Sequence, residues 1–260
     1  MYPEESIKLP PIRTAPKGSF PFAMRNGGEL TNYYGMPSRY SDIDIPTTLT
    51  LRRGYYACIS YVDALVGKLL NQLEHLGLRD NTIVVLWGDH GYKIGDYGSW
   101  CKWSNMSIDT RVPLIFSLPE GQRGAVHGEP VEALDIYPTL VEACGFEIPD
   151  HVEGESLLET LDKPQLATGR RAFTIWPDQR GRYKKTIMGY SVKDGRFNYT
   201  EWIVLHSGEL LGKELYDQNN DPKETVNVID QPDYTSVVSE FSEALHSMIA
   251  ATDHIFRNKQ

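Results

Sequence analysis

The sequence predicts an α/β fold with a mostly parallel sheet, followed by a small α+β subdomain with an antiparallel sheet. Three observations predict it. An amphipathic helical pattern over 55–76 is followed, after a short turn, by a β-branched strand, Thr82–Trp87, and helix–strand alternation favours parallel neighbours. A second strand pattern, Pro113–Leu118, is again followed by a helix. Beyond residue 170 the alternation stops, and successive β-like runs precede one last helix. Two domains follow, 1–165 and 166–260, with the polar stretch near 150–170 as their boundary.

Residues 1–48 are rich in Pro and Gly and read as a long crossing loop within a domain rather than as an independent start. In the first helix Tyr55, Ile59, Val62, Val66, Leu69, Leu73 and Leu76 recur at 3–4 spacing and build one apolar stripe. Gly77 suits the end of that helix, and Asp80-Asn81 makes a turn. Asp135 is placed to cap a helix that runs through Cys144, with Pro138 in its first turn and Gly145 at its end. Arg171–Trp176, Thr186–Val192 and Phe197–Leu205 read as strands, with a short run at Glu214-Leu215-Tyr216. Ser236–Ala251 reads as a helix with Val237, Phe241, Leu245 and Ile249 on one face.

The 260 residues suffice for a large core, and the net charge of −9 argues against nucleic acid as a bulk electrostatic partner. No apolar run reaches the roughly 20 residues of a membrane span, and Met1–Glu5 has the pattern of no signal peptide. The three cysteines, Cys58, Cys101 and Cys144, are too far apart for metal spacing. Cys58 and Cys144 lie in helical patterns and read as small buried hydrophobes. Cys101 precedes Lys102, a setting that can activate a thiol.

Chemistry concentrates where the first strand ends. Val84-Val85-Leu86-Trp87-Gly88-Asp89-His90-Gly91 places two hard-to-bury side chains at a strand's carboxyl end, where open α/β sheets bind ligands. A carboxylate and an imidazole are both metal ligands, and Lys102 nearby suits an anion. A turn aspartate and a core histidine are the structural alternative. The flanking Gly88 and Gly91 favour a site. Tyr92 and Trp103 are candidates to line a substrate pocket, with plain packing as their alternative.

These residues carry a resemblance. Tyr55-Tyr56-Ala57 through Asp63 resembles the Y-x-A-x-x-x-x-x-D helix of type I sulfatases, and Asn81–Gly91 resembles their strand and metal loop. Lys102, Val112-Pro113-Leu114, Asp135–Leu140, Glu214–Asp217 and Asp221-Pro222-Lys223-Glu224 follow in the family's order, so the motifs span about residues 50–230. The Asp-His pair, Ser104-Asn105, Ile187–Ser191 and Arg196–Thr200 are similar to the iduronate-2-sulfatase-like branch, as is the opening Tyr2-Pro3-Glu4 with Ile7–Pro10. The resemblance implies the C-terminal part of an alkaline-phosphatase-like sandwich and hydrolysis of a sulfate ester of a sulfated sugar or glycosaminoglycan. It implies Asp89 and His90 as Ca²⁺ ligands and Lys102 as the catalytic cation on the sulfate or leaving-group oxygen. A divalent cation and an ammonium both stabilise charge on a transferring sulfuryl group.

The sequence departs from the pattern in two ways. Asp96-Tyr97-Gly98 stands where the branch has an acidic-His-Gly triplet. None of the three cysteines lies in the C-x-P-S-R context that yields formylglycine; Gly35-Met36-Pro37-Ser38-Arg39 matches only the motif's tail, and glycine has no side-chain carbon to oxidise. The paired aspartates of the calcium site are also not found. The expectation is therefore a C-terminal half that contains no nucleophile, is inactive alone, and has the N-terminal half of the same protein as its partner. Such a half exposes apolar helix and sheet faces over 55–145. The family implies a lysosomal, periplasmic or secreted location.

Other readings stay open. Arg170, Arg171, Arg180, Arg182, Lys184 and Lys185 form a basic cluster that either contacts anions of a glycan or is a solvated loop. Trp176-Pro177 either walls a pocket or makes a turn. Asn105-Met106-Ser107 and Asn198-Tyr199-Thr200 fit the N-glycosylation pattern. The remaining histidines are scattered and receive no role. The alternatives are a phosphonate or phosphate monoester hydrolase of the same superfamily, and a non-catalytic truncated remnant.

Overall fold

A computed structural model describes residues 1–119, 121, 124–178 and 186–257. The chain divides into two compact units. The first comprises 1–15, 24–103 and 111–124; the second comprises 16–23, 104–110 and 125–260. The boundary expected near 165 falls inside the second unit, because the helices after residue 135 belong to it.

The first unit is built on α1 (Ile45–His75). It starts earlier than its apolar stripe suggests, because Asp44 accepts the Thr47 amide at 2.8 Å and Pro46 suits the first turn. Strand β1 (Val84–Trp87) follows, then a hairpin of β2 (Lys93–Ile94) and β3 (Trp100–Cys101). The short helix α2 (Ser107–Thr110) belongs to the second unit, and β4 (Leu114–Ser117) returns to the first. β1 and β4 pair antiparallel, Val84 opposite Ser117 and Trp87 opposite Leu114. The α/β fold class stands. At this pair, however, the expected parallel order is not what forms: the connection returns through a hairpin and one helical turn, not through a crossover helix lying on the sheet.

Buried Leu30, Tyr40, Ile94, Trp100 and Cys101 form the core of this unit, with Leu51, Tyr55, Tyr92 and Trp103 packed around them. The buried Arg52 guanidinium of α1 donates to the Ile94 carbonyl at 2.9 Å and ties helix to hairpin. Much of the rest of the helical stripe stays in solvent, with Val66 and Leu73 half-buried. Ile59, Val62, Leu69 and Leu76 are exposed, as are Trp87 and Ile115 on the strand pair. Cys58 and Cys144, expected inside, are both exposed, because the helix faces that carry them are not covered. Cys101 is the buried thiol.

The second unit has a four-stranded antiparallel sheet: β5 (Ala172–Asp178), β6 (Ile187–Lys193), β7 (Phe197–Val204) and β8 (Leu210–Asp217), in that order. One group of buried side chains, Met188, Tyr190, Val192, Tyr199 and Leu215, packs with Phe241 and Leu245 of the last helix. Another joins Trp202 and Ile187 to Phe22, Ala23, Phe20 and Trp176. Trp176 is thus a half-buried residue of β5 packed against this group, not a turn. Before the sheet lie α3 (Ile136–Ala143) and α4 (Leu158–Asp162); after it comes α5 (Thr235–Arg257). Asp135 does not cap α3. Its buried carboxylate accepts from the Glu132 and Glu155 amides and from Arg170 at 2.7 Å.

Buried carboxylates hold this unit together. Glu224 accepts from the amide and hydroxyl of Ser107, from Asn198 and from Gln218, all within 2.8 Å. Glu201 on β7 accepts from Tyr199, Ser242, His246 and Lys213, which anchors α5. Burial pushes the Glu214 carboxyl up although Tyr216, Trp202 and the Phe20 amide all donate to it. Asp217 receives both arms of Arg196, at 3.1 and 2.8 Å, which outweighs burial and holds its carboxyl down at about 2.

Two predictions follow from these contacts. The uncovered apolar faces of α1 and β1–β4 should make the isolated chain bind a hydrophobic dye and self-associate, and Leu69→Lys should reduce both. A monodisperse chain with no dye binding contradicts this. For Asp217 the folded carboxyl lies below its ordinary 3.8, so its contribution is present above that value and lost as pH falls toward about 2. Urea unfolding between pH 5 and pH 2 should therefore lose stability more steeply in the wild type than in Asp217→Asn. Equal slopes would mean the ion pair does not stabilise the fold.

Candidate active site

The loop after β1 is set by a backbone tie. The Gly88 amide donates to the Pro113 carbonyl at 3.0 Å, extending the β1–β4 pairing by one residue. This gives Val112-Pro113-Leu114 its local purpose: it fixes where the strand ends and the loop begins. Asp89 then projects a carboxylate that is 73% exposed, and the His90 imidazole lies 3.5 Å from it. The Asp89 carboxylate accepts the His90 amide at 3.0 Å, and His90 Nδ1 lies 2.9 Å from the Gly91 carbonyl. His90 is exposed and not a core histidine, and Asp89 lies at an exposed bend.

From Gly91 the chain enters the β2–β3 hairpin, in which Lys93 pairs with Cys101. That register brings the neighbouring positions, Tyr92 and Lys102, to opposite sides of the hairpin's open end. The turn between the strands is Gly95–Ser99, closed by Gly95 N–H to the Ser99 carbonyl at 3.1 Å. The triplet Asp96-Tyr97-Gly98 is therefore part of a turn. Tyr97 is buried at φ 57°, and its amide donates to the Ile12 carbonyl. At Gly98, φ is 67°, and a Cβ would lie 2.8 Å from the Arg13 carbonyl oxygen, so only glycine fits.

Cys101 has φ 65°, a left-handed conformation that costs energy for a side-chain-bearing residue. Its fully buried thiol sits between two phenols, with Tyr92 Oη at 3.3 Å and Tyr40 Oη at 3.8 Å. Burial, reinforced by the neighbouring sulfur, pushes both phenols above their ordinary range. The thiol is a packed anchor of the hairpin. Tyr92 also stacks on Tyr55 of α1 at 5.3 Å between ring centroids.

Lys102 leaves the hairpin with its ammonium 2.8 Å from Glu29 Oε2 and 5.2 Å from the Trp103 ring centroid. The Arg25 guanidinium lies 5.2 Å from the same ring. The structure thus brings Lys102 and Trp103 together, places Tyr92 across the hairpin end, and puts Asp89 and His90 on the loop feeding it. Glu29 and Arg25 had no signal in the sequence, because both sit in the region without periodicity.

Asp89 and His90 offer one carboxylate and one imidazole. Among the described residues no group of three or more His, Cys, Asp or Glu is arranged to hold a metal. A hard cation that takes 6–8 oxygen ligands would find one edge of a site here. Of the basic cluster, Arg170 pairs with Asp135 and Glu155, and Arg171 pairs with Glu240. Arg180, Arg182, Lys184 and Lys185 lie outside the described residues. Among the described residues no helix is long and apolar enough to cross a membrane.

Comparison with known proteins places these motifs. The family model described as Sulfatase matches residues 15–146, and the one described as N-sulphoglucosamine sulphohydrolase, C-terminal, matches residues 95–251. A Formosa agariphila protein named Sulfatase is 29% identical over 253 residues, covering 97% of this chain and 46% of the relative. Human iduronate 2-sulfatase is 28% identical over 295 residues, covering 88% of this chain and 54% of the relative. The solved structure of a 2-O GAG sulfatase superposes with a TM-score of 0.74 at 22% identity, over 97% of this chain and 54% of that one, which speaks to fold. The chain spans about half the length of the curated relatives it matches.

The two N-glycosylation triplets lie in the interior. Asn105 donates to the Gly189 carbonyl at 3.0 Å. Asn198 donates to Glu224 at 2.7 Å and accepts from Ser191 at 2.8 Å. Both are at least 96% buried, so neither can carry a glycan in the folded chain. Expression in a glycosylating host should give a mass that N-glycosidase does not change. Asn198→Gln should instead destabilise the second unit by about 1–3 kcal/mol, the cost of stranding buried partners. A glycan mapped to either asparagine contradicts this packing.

Proposed function

The chain belongs to the sulfatase family, and from that premise we propose that it forms part of a sulfuric ester hydrolase acting on a sulfated saccharide. The observation that carries this reading is Lys102, held beside Trp103 at the end of the core-anchored β2–β3 hairpin into which the Asp89-His90 loop leads. A fixed ammonium at the mouth of a site stabilises negative charge without reorganising during the reaction. Trp103 and Tyr92 offer aromatic faces against which a sugar ring can lie.

Asp89 and His90 are the residues of this chain that would hold a metal, with Ca²⁺ as the expected ion. A bound divalent cation supplies Lewis-acid stabilisation of the sulfuryl oxygens. With two donors here, the chain supplies part of the metal site. The nucleophile is likewise a formylglycine that none of Cys58, Cys101 and Cys144 has the sequence context to form. A polypeptide carrying the C-x-P-S-R segment and the paired aspartates, the N-terminal half of such an enzyme, is the partner this reading calls for. The names of its relatives point to a glycosaminoglycan-like substrate with a 2-O-sulfated uronate.

Calorimetry on the purified chain is the test. A sulfated uronic acid disaccharide should bind and its desulfated counterpart should not. Lys102→Ala should weaken binding about tenfold or more, the loss expected when a charge-assisted contact of about 1.5–3 kcal/mol goes. Ca²⁺ should bind no more tightly than about 10⁻⁴–10⁻³ M, the weak end of protein calcium sites. Submicromolar Ca²⁺ binding contradicts the ligand accounting. Sulfate release by the chain alone, after removal of trace sulfatase, contradicts the partial-site reading. A preference for a phosphonate monoester over the sulfate ester moves the assignment to the neighbouring chemistry.

A further inference from the structure

We infer that Glu29 is a positioning residue for Lys102, an inference that rests on the reading of Lys102 as the cation that meets the ester anion. Glu29 is far from Lys102 in sequence, on a single 3₁₀ turn, Glu29–Asn32. That turn is fixed at both ends. Gly28 starts it at φ 139°, a conformation a side-chain-bearing residue rarely adopts. The Thr31 hydroxyl donates to the Gly28 carbonyl at 2.7 Å and accepts the Gly28 amide at 3.0 Å. The next residue, Leu30, is buried with Tyr40, Ile94, Trp100 and Cys101, the side chains that anchor the hairpin. One core therefore locates both partners of the ion pair.

The pair has the geometry of a support. Glu29 Oε2 lies 2.8 Å from Lys102 Nζ, and both side chains are largely shielded, 35% and 25% exposed. Trp103 bounds the ammonium on another side. An ammonium has three N–H donors. One is committed to Glu29, and the others remain for an anion. A lysine side chain free to sample its rotamers spends little time in any one orientation. Tethering it to a fixed carboxylate removes that freedom before substrate arrives. Protein kinases, which transfer a phosphoryl group, use the same device, with a glutamate holding the lysine that meets the phosphates.

The test has two arms on the full chain. In the first, lysine side chains are ¹⁵N-labelled, and the Lys102 ammonium signal is assigned with Lys102→Arg. Its order parameter should be high in the wild type, drop to that of surface lysines in Glu29→Gln, and recover in part in Glu29→Asp. An unchanged Lys102 signal in Glu29→Gln overturns the inference. In the second arm, sulfate-ester turnover is measured with the chain in the presence of the polypeptide that supplies the nucleophile. Glu29→Gln should lower kcat about 10- to 100-fold, the usual cost of losing a partner that orients a charged ligand, with KM little changed. A fall in KM with a faster rate would make Glu29 a competitor for Lys102 and would overturn the positioning role. Absence of turnover in the wild type counts against the sulfatase reading and leaves the first arm to decide the role of Glu29.

Discussion

The candidate site depends on one constraint: the anchoring of the two-residue hairpin Lys93–Ile94/Trp100–Cys101 in the core of the first unit. Strands this short do not hold themselves together. Ile94, Trp100 and Cys101 are buried, Arg52 of the long helix grips the Ile94 carbonyl, and two tyrosines close on the Cys101 thiol. The strained backbone at Tyr97 and Cys101 persists because this packing determines it. Tyr92, Lys102 and Trp103 are presented by that scaffold, which makes them more rigid than loop residues ordinarily are.

The second unit uses a different device. Its motif residues Glu214, Asp217 and Glu224, together with Glu201, turn carboxylates inward, and each meets several donors. Burying a carboxylate is costly, and removing any donor exposes that cost. Such a network tolerates few alternatives and so specifies a single arrangement of sheet and helix. The acidic motif Asp221-Pro222-Lys223-Glu224 is accordingly architectural: Glu224 ties Ser107, Asn198 and Gln218 to one point.

Local signals were legible in the sequence. The β-branched run Val84–Trp87 and the glycines around Asp89-His90 announced a strand and its exit loop, and strands of the second unit stood out as successive β-like runs between turn-rich segments. Whatever depends on distant partners was not legible. Whether Leu114–Ser117 runs parallel or antiparallel to the first strand is decided by the path between them, which has no local signature. A two-residue strand is too short to show a period, so Tyr92 and Lys102 could be nominated but not placed opposite one another. Glu29 and Arg25 carry no pattern at all. The cysteines were misjudged for a related reason. A helical pattern gives the face a residue lies on, and Cys58 and Cys144 lie on faces that nothing among the described residues covers. Asp135 looked like a helix cap because its neighbours fit one, and the competing attraction of Arg170 is invisible without the fold.

Hydrogen–deuterium exchange of the chain with and without a sulfated uronic acid disaccharide tests the central claim most directly, because it locates the bound sugar without presuming any residue. Protection rising over 88–92 and 100–103, with the sheet of the second unit unchanged, is the result this account predicts. Protection confined to 187–217, or absent from the Lys102 hairpin while the sugar is bound, would contradict it.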